Sequence, residues 1–406
     1  MPQSSPRAIV IGGSMGGLFA ALMLLRAGWR VDVFERVGVE LSARGAGIVT
    51  HPELRDALGS VGIFPGEDFG VAIRRRRTLG RDGSVIAEVD CPQVATSWNR
   101  MFALLRGAFP DAHYHLGREL AGIDQAEGSV TARFADGSSA TGELLVAADG
   151  VRSTVRALLA PQAEPLYAGY VAWRGMVEEM ALPADARRDL FAYFAFSLPP
   201  GEQMLGYPVA GENNDLRPGR RRYNFVWYRP ADADTELAGL LTDESGRRHG
   251  MSIPPPLIAR ATIAHMRAEA ARVLAPQFYA LVEATPEPFL QPIFDLESAR
   301  MAFGRVALLG DAAFVVRPHV GAGVAKAAMD AAALAQAVGG GDIAAGLARY
   351  EAARIEAGRI MVEQGRRLGS YMRTRFDTEA ERALAARHQT PEAVMAETAL
   401  LDFIRA

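Results

Sequence analysis

The chain has 406 residues, 49% of them hydrophobic, and a formal net charge of −3 at pH 7. This length allows a large buried core, and the small negative charge argues against a nucleic-acid or membrane-surface partner. One cysteine, Cys91, excludes an intramolecular disulfide, and residues 1–6 carry no hydrophobic signal core, so we expect a cytoplasmic protein.

The N-terminal residues predict a nucleotide-binding βαβ unit. Residues 8–11 form an apolar strand, residues 12–17 (GGSMGG) a glycine-rich loop, and residues 18–27 a helix that Gly28 ends. A second strand, 31–34, leads to Glu35, an acid placed to accept a hydrogen bond from a ribose hydroxyl. Ser14 replaces the middle glycine of the usual pattern. We assign to a dinucleotide Gly12, Ser14, Met15, Gly17, Glu35 and Arg36.

The next segment continues the alternation of strands and helices. Residues 74–77 are four arginines, interpreted mainly as solvated surface, with attraction of NAD(P)H as the alternative. Arg100 begins a predicted helix that runs toward residue 109. A hairpin is predicted between 130–134 and 143–148 around Asp136 and Gly137, and the second of these strands leads to Asp149 and Gly150.

Residues 166–296 have a different composition. Strand-like stretches at 170–177, 190–197, 203–209 and 223–228 are rich in aromatic side chains, and helices are predicted at 256–274 and 277–284. An antiparallel sheet with one aromatic face would form a flat slot for a planar ring, although most of these aromatics, taken singly, fit an ordinary core.

A third nucleotide-type motif follows at 305–323. An apolar strand ends at Gly310 and Asp311, and a loop with Pro318 leads to a helix at 325–338. The carboxylate suits a ribityl hydroxyl, and two such motifs, one at each end of a long ligand, indicate a flavin dinucleotide. Residues 344–388 predict helix interrupted by glycines, with a short helix after Pro391; this end could form a dimer contact or pack on its own domain.

The three motifs resemble, in order, those of the single-component FAD-dependent aromatic hydroxylases, the group that includes para-hydroxybenzoate hydroxylase. The D-G-x-x-S-x-x-R pattern is matched by Asp149, Gly150, Ser153 and Arg156. The G-D-A-A…P-x-x-G-x-G pattern is matched by Gly310, Asp311, Ala312, Ala313, Pro318, Gly321 and Gly323. Residues 167–175, 220–228 and 317–327 further resemble the 2,6-dihydroxypyridine 3-monooxygenase branch.

The resemblance implies an α/β fold: a Rossmann-like FAD-binding domain (1–165, returning at 298–340), an inserted antiparallel-sheet substrate domain (166–297) and a helical C-terminus (341–406). It implies bound FAD, NADH or NADPH as reductant, O₂, and hydroxylation of a small aromatic ring through a flavin C4a-hydroperoxide. Further cofactor contacts are expected at Arg44, Arg100, Ala322 and Val324; for Arg100 a surface helix position is the alternative. A homodimer is possible.

Candidate residues for the chemistry lie in the two loops that face the flavin and in the aromatic strands. His51 and His319 are candidate bases with a structural role as the alternative, and Pro318 is expected beside the flavin. Substrate contacts are predicted for Tyr207, which could also assist catalysis, Trp227 and Tyr228. We predict no metal site, because the sequence has no H-x-x-x-H or C-x-x-C cluster.

The substrate prediction depends on where the arginines of residues 220–228 point. Strand alternation places Arg220 and Arg222 on the face opposite Tyr223, Phe225 and Trp227, which we expect toward the core. Without an inward arginine, a dihydroxypyridine is favoured over a benzoate. Two other functions stay open: a flavin oxidoreductase of the same fold that inserts no oxygen, and a nicotinamide-only dehydrogenase or binding module.

Overall fold

The computed structural model describes residues 5–41, 47–373 and 375–404. Its strands are β1 (Arg7–Ile11), β2 (Arg30–Phe34), β3 (Gly47–Val49), β4 (Val71–Leu79), β5 (Val85–Ser97), β6 (Tyr114–His115), β7 (Leu120–Ala126), β8 (Ser129–Phe134), β9 (Ser139–Gly142), β10 (Leu144–Ala147), β11 (Leu166–Glu178), β12 (Tyr193–Ser197), β13 (Gln203–Val209), β14 (Arg222–Pro230), β15 (Phe289–Glu297), β16 (Ala302–Phe303), β17 (Val306–Leu308) and β18 (Phe314–Val315).

The α-helices of the described residues are α1 (Met15–Arg26), α2 (Pro52–Ser60), α3 (Trp98–Ala108), α4 (Thr154–Leu159), α5 (Ala184–Leu190), α6 (Glu236–Leu240), α7 (Arg260–Val273), α8 (Pro276–Glu283), α9 (Gly323–Val338), α10 (Ile343–Leu368), α11 (Glu379–His388) and α12 (Pro391–Glu397). None of them is both long and apolar enough to cross a membrane.

A six-stranded sheet in the order β16-β17-β10-β1-β2-β6 carries the nucleotide motifs. Strands β17, β10, β1 and β2 run parallel, and the first three are buried along almost their whole length. Because the carboxyl ends of parallel strands meet at one edge, the loops that follow these four strands lie side by side. This sheet confirms the predicted Rossmann-like fold class.

The aromatic strands belong to a nine-stranded sheet in the order β18-β15-β11-β14-β13-β12-β4-β5-β3. Most of its pairs are antiparallel, as predicted, but β12 pairs with β4 in parallel. Strands β3, β4 and β5 come from the first 165 residues, so residues 166–297 alone do not make this sheet. The predicted domain boundaries stay a prediction.

The two faces of the nine-stranded sheet have different neighbours. One face, with Trp173, Tyr223 and Phe225, packs against side chains of α5, α7 and α8. The other face, which includes Tyr170, Tyr207 and Tyr228, packs in part against residues of the C-terminal segment 371–399. We call the first the helix-covered face and the second the cavity face.

Two local predictions were wrong. The partner of β8 in the hairpin is β9, whereas the predicted second strand, 143–148, contains β10, which pairs with β1 and β17. A fully buried apolar run such as β10 fits the centre of a parallel sheet better than a hairpin edge. Helix α10 continues through Gly358 and Gly365, where an added Cβ would lie 2.5 Å from the Phe314 ring and 3.1 Å from the Arg317 backbone nitrogen. These glycines allow close packing and do not interrupt the helix.

The interpretation of the arginine run as solvated surface is wrong for Arg76. Its side chain is fully buried and donates hydrogen bonds to the carbonyl oxygens of Met395 (2.6 Å) and Thr398 (2.7 Å). Through these two hydrogen bonds, Arg76 of β4 holds the C-terminal end of α12 against the nine-stranded sheet. The C-terminal segment thus packs on the nine-stranded sheet of the same chain, and a dimer contact stays a prediction.

Candidate active site

The three nucleotide motifs, separated by up to 300 residues in sequence, are in contact. Gly12 has a φ of +104°, and a Cβ there would lie 2.4 Å from the carbonyl oxygen of Ala148. A Cβ on Gly16 would lie 3.4 Å from the side chains of Leu309 and Ala327. The first loop therefore touches the residue before Asp149 on one side and the third motif on the other.

The first turn of α1 opens at this edge with its N–H groups free of intrahelical acceptors. Ser14 is the N-cap residue, and its carbonyl oxygen accepts the N–H of Leu18 at 2.9 Å while its side chain makes no capping bond. A Cβ on Gly17 would lie 1.8 Å from the Gly12 carbonyl oxygen, so the helix can begin this close to the strand only with glycine. The predicted residues Gly12, Ser14, Met15 and Gly17 lie in one turn, and its N–H groups have the geometry that an anion requires.

The acidic residue of the βαβ unit, Glu35, is buried and already has two backbone donors. Its carboxylate accepts from the N–H of Gly13 at 2.8 Å and from the N–H of Val37 at 3.0 Å. A carboxylate can accept about four hydrogen bonds, which leaves room for a ribose hydroxyl. Arg36 is exposed beside it, and Arg44 lies outside the described residues.

The two aspartates of the later motifs differ in what they already bind. Asp149 accepts from the Ser153 hydroxyl at 2.6 Å and the Val155 N–H at 3.2 Å, so it binds both the N-cap residue and the first turn of α4. Asp311 has no hydrogen-bond partner among the described residues, although its carboxylate is open to a cleft. Desolvation by the surrounding protein raises the pKa of Asp311, and Lys326 opposes that shift. A hydroxyl donor from a ligand would stabilise this carboxylate.

Arg100 does not reach the cleft between the sheets. Its guanidinium donates to the Asp68 carboxylate at 2.5 Å, and its backbone N–H donates to Ser97 at the start of α3. The structure therefore places Arg100 in a surface ion pair, which was the predicted alternative.

A cavity of about 570 Å³ lies between the third motif and the cavity face. The loop side contributes Asp311, Arg317, Pro318 and the stretch 321–324, and the sheet side contributes Arg174, Phe194, Leu205, Tyr207, Val226 and Tyr228. Gly321 has a φ of +65° and ends the turn before α9, so the N–H groups at the start of α9 open toward this cavity. Thr398 and Ala399 close it from the C-terminal side.

Tyr207 and Tyr228, both predicted substrate contacts, line this cavity. Desolvation raises the pKa of Tyr228 to about 12 and also raises the pKa of Tyr207, while the charge of Arg174 opposes both shifts. Both phenols are therefore protonated at neutral pH. Neither hydroxyl has a protein partner within the described ranges, so both can bind a ligand.

The predicted substrate contact of Trp227 is wrong, because its side chain lies on the helix-covered face. The indole N–H donates to the Glu202 carboxylate at 2.8 Å, and the ring packs with the core under α7 and α8. Trp227 and Tyr228 are neighbours in β14, so alternation sends them to opposite faces.

The two candidate histidines are next to the cavity but do not line it. The His51 ring donates from Nε2 to the Gly321 carbonyl oxygen at 3.1 Å. The buried His319 donates from Nδ1 to Gln203 Oε1 at 3.0 Å and accepts at Nε2 from the Tyr170 hydroxyl at 2.9 Å. Desolvation lowers the pKa of both rings, which are therefore neutral at pH 7. Each ring is engaged in the structural role that was the predicted alternative.

Comparison with known proteins decides the family. The profile of the FAD binding domain-like family matches residues 167–295. The chain is 32% identical over 375 residues to the 2,6-dihydroxypyridine 3-monooxygenase of Paenarthrobacter nicotinovorans, covering 91% of this chain and 92% of that one. This chain belongs to the FAD-dependent aromatic hydroxylases.

Two solved structures show the same architecture as this hydroxylase. The 2,6-dihydroxypyridine-3-hydroxylase from Arthrobacter nicotinovorans superposes with a TM-score of 0.86 at 30% identity, covering 94% of this chain and 96% of that one. Klebsiella pneumoniae HpxO, solved with FAD and uric acid, gives 0.75 at 26% identity, covering 96% and 95%.

The residues of this hydroxylase fit FAD. The α1 turn and Glu35 stand at one end of the carboxyl edge, and the carboxylate of Asp311 and the start of α9 stand at the other, which is the arrangement that a long dinucleotide needs. Within the described ranges no group of three or more His, Cys, Asp or Glu residues could hold a metal ion.

Sequence reasoning missed the charged residue on the sheet side of the cavity, Arg174. Arg174 in β11 lies opposite Val226 and faces the cavity, and its Nε is buried without a hydrogen-bond partner. The premise that no arginine points inward is therefore wrong. Strand alternation predicts that Arg174 lies on the face of the sheet that Trp173 does not occupy. Only the three-dimensional fold shows that this face borders the cavity.

Proposed function

We propose that this enzyme uses NADH or NADPH and O₂ to hydroxylate a hydroxylated N-heterocycle, a (di)hydroxypyridine such as 2,6-dihydroxypyridine. The observation that carries the proposal is the cavity between the Asp311–Val324 loop and the aromatic sheet, whose sheet side presents the hydroxyls of Tyr207 and Tyr228 and the guanidinium of Arg174. The whole-chain similarity to 2,6-dihydroxypyridine 3-monooxygenase supports the choice of ring.

We assign the cofactor contacts to the edge of the parallel sheet. The Gly12–Gly17 turn would hold the pyrophosphate, Glu35 and Arg36 the adenosine end, and Asp311 a ribityl hydroxyl. Asp149 contributes by holding the start of α4 in place. Arg44 stays a predicted contact, and Arg100 would have to leave Asp68 to become one.

Bound FAD supplies the redox chemistry, accepting hydride from the reductant and activating O₂. Pro318 and the N–H groups at 321–324 would lie beside the flavin ring and stabilise negative charge on it. Phe194, Leu205 and Val226 exclude water from the cavity, and the hydroxyls of Tyr207 and Tyr228 orient the ring substituents.

A hydroxylase of a carboxylated ring such as a hydroxybenzoate is the second candidate, and Arg174 favours it, because a guanidinium binds a carboxylate well. Turnover of purified FAD-loaded enzyme with NADH or NADPH separates the candidates, using 2,6-dihydroxypyridine, 4-hydroxybenzoate and salicylate under ¹⁸O₂. We expect a product of 2,6-dihydroxypyridine that carries one ¹⁸O atom by mass spectrometry.

Efficient labelling of a benzoate instead would move the proposal to the second candidate. Reductant consumption without label in any product would favour a flavin oxidoreductase that inserts no oxygen. Cytoplasmic location and a homodimer also stay proposals, the latter to be tested by light scattering of the holoenzyme.

A further inference from the structure

The sheet side of the cavity offers hydrogen-bond donors and no acid. Arg174 presents its guanidinium there, and the phenols of Tyr207 and Tyr228 are protonated. Such a wall is complementary to a ligand rich in acceptor oxygens.

The two arginines of the cavity with buried nitrogens differ in charge compensation. Arg317 forms a bidentate pair with Asp295, at 2.9 and 2.7 Å, so its charge is neutralised within the protein. Arg174 has no acidic partner and no hydrogen bond within the described residues, and its Nε is buried. A partly buried cation without a counter-ion is costly, and an anion that enters the cavity would offset that cost.

The remaining charges of the cavity do not take this role. Asp311, the one acid in the lining, belongs to the flavin side, and Arg152 stands exposed at the rim. The rings of His51 and His319 point to Gly321 and Gln203, so neither is placed to remove a proton from a substrate.

We propose that Arg174 binds an anionic oxygen of the substrate, so that the enzyme takes its ring substrate as an anion. This proposal rests on the proposed function, from which it takes the aromatic ring as the substrate. The oxygen is either a deprotonated ring hydroxyl or a carboxylate, because both present the same acceptor to a guanidinium. For a hydroxypyridine, Arg174 would lower the pKa of the ring hydroxyl and make the ring electron-rich without a histidine base.

The test measures ligand binding to the oxidised, FAD-loaded enzyme by flavin absorbance, without turnover. The ligands are 2,6-dihydroxypyridine, 6-hydroxynicotinate as the carboxylated ring, and 2,6-dimethoxypyridine, which cannot ionise at oxygen. The variants are Arg174→Gln and Arg174→Lys, with Arg220→Gln as control, because Arg220 is exposed and outside the cavity lining. The ultraviolet spectrum of bound 2,6-dihydroxypyridine against pH gives the pKa of the bound ring.

We expect Arg174→Gln to weaken the binding of the anionic ligand about 10- to 100-fold, the usual cost of losing a hydrogen bond to a charged group. Dimethoxypyridine binding and the control variant should be unchanged. The pKa of bound 2,6-dihydroxypyridine should rise by about one to two units, which is the same free energy expressed as ionisation. A loss confined to dihydroxypyridine identifies a ring oxide, and one confined to 6-hydroxynicotinate identifies a carboxylate.

Equal weakening of all three ligands, or none, in a variant that retains FAD would overturn the proposal. So would a wild-type enzyme that shows no preference for the ionisable ligands over dimethoxypyridine. If Arg174→Gln does not fold, Arg174→Lys is the deciding variant, because lysine keeps the positive charge. It should still bind the ionisable ligands more tightly than 2,6-dimethoxypyridine. A folded lysine variant that binds all three ligands equally would contradict the assignment. Since no turnover is involved, binding through Arg174 with no hydroxylated product would refute the proposed function alone.

Discussion

The carboxyl edge of the parallel sheet and the cavity face of the nine-stranded sheet would bind their ligands through different kinds of protein group. At the edge, the backbone N–H groups of the glycine turn would meet the pyrophosphate, and Gly12 and Gly17 leave no room there for a Cβ. The carboxylates of Glu35 and Asp311 would add one hydroxyl contact at each end. At the cavity face, side chains such as Arg174 and Tyr228 provide the polar contacts.

This difference explains how the two regions can vary. A backbone site tolerates few substitutions where an added Cβ would collide with the main chain, as at Gly12 and Gly17. A side-chain site on a rigid sheet can exchange one polar group for another without moving the backbone. We therefore expect substitutions at the edge to weaken FAD binding and so to reduce activity with every substrate. Substitutions at the cavity face should instead change which substrate binds.

The largest effect is expected from Gly17→Ala. The new Cβ would lie 1.8 Å from the Gly12 carbonyl oxygen, so either α1 or the loop must move. Overpacking of this kind costs about 1–3 kcal/mol or more, and the displaced turn should no longer bind FAD. FAD content after gel filtration and the urea unfolding midpoint measure both effects.

Gly107→Ala is the matched control for this change. Gly107 lies in α3 with open space around an added Cβ, so alanine should leave FAD content unchanged and leave stability equal or higher. A Gly17→Ala protein with full FAD content would show that the turn does not need glycine at this position.

The next effect concerns the two aspartates of the edge. Asp311→Ala should raise the FAD dissociation constant about 10- to 100-fold, because a charged hydrogen bond contributes about 1.5–3 kcal/mol. Asp149→Ala removes the acceptor for Ser153 and Val155 and should lower stability instead. Isothermal titration of the apoprotein with FAD and thermal unfolding separate the two. Unchanged FAD affinity in Asp311→Ala would remove the ribityl assignment.

A smaller effect is expected from the buried His319 as the pH is lowered. Burial and the charges of Arg317 and Arg174 lower its pKa in the folded state, while the unfolded chain takes up a proton near pH 6.5. Below pH 6.5 the unfolded state binds more protons, so this residue lowers the free energy of unfolding by about 1.4 kcal/mol for each pH unit until the folded pKa is reached.

His319→Gln should remove that part of the pH dependence, measured as the difference between urea unfolding free energies at pH 7.5 and 5.5. His265→Gln is the control, because His265 is exposed on α7. The same acid sensitivity in His319→Gln and wild type would mean that His319 is not held neutral.

The sequence predicted the edge of the parallel sheet better than the cavity. The glycine turn and the Asp311 strand end are local patterns, and each dictates its own backbone geometry. The roles of Arg174, Arg76 and Trp227 depend on which face of a strand meets the cavity, and strand alternation alone cannot decide this. The pairing of β12 with β4 joins segments more than 100 residues apart, for which neither segment carries a local signal.

The smallest effect compares two neighbours in β14. Tyr228→Phe removes a hydroxyl from the cavity and should weaken substrate binding roughly 2- to 10-fold, the usual contribution of one neutral hydrogen bond.

Trp227→Phe removes the donor to Glu202 at 2.8 Å on the helix-covered face. It should lower the free energy of unfolding by about 1–3 kcal/mol, because the Glu202 Oε2 loses its donor while Oε1 keeps Arg229, and leave substrate binding unchanged. Dissociation constants from flavin absorbance and urea unfolding midpoints, measured on both variants, test the pair. If Trp227→Phe weakened substrate binding more than Tyr228→Phe, the substrate would lie on the other face of the sheet, and the assignment of Arg174 would fall with it.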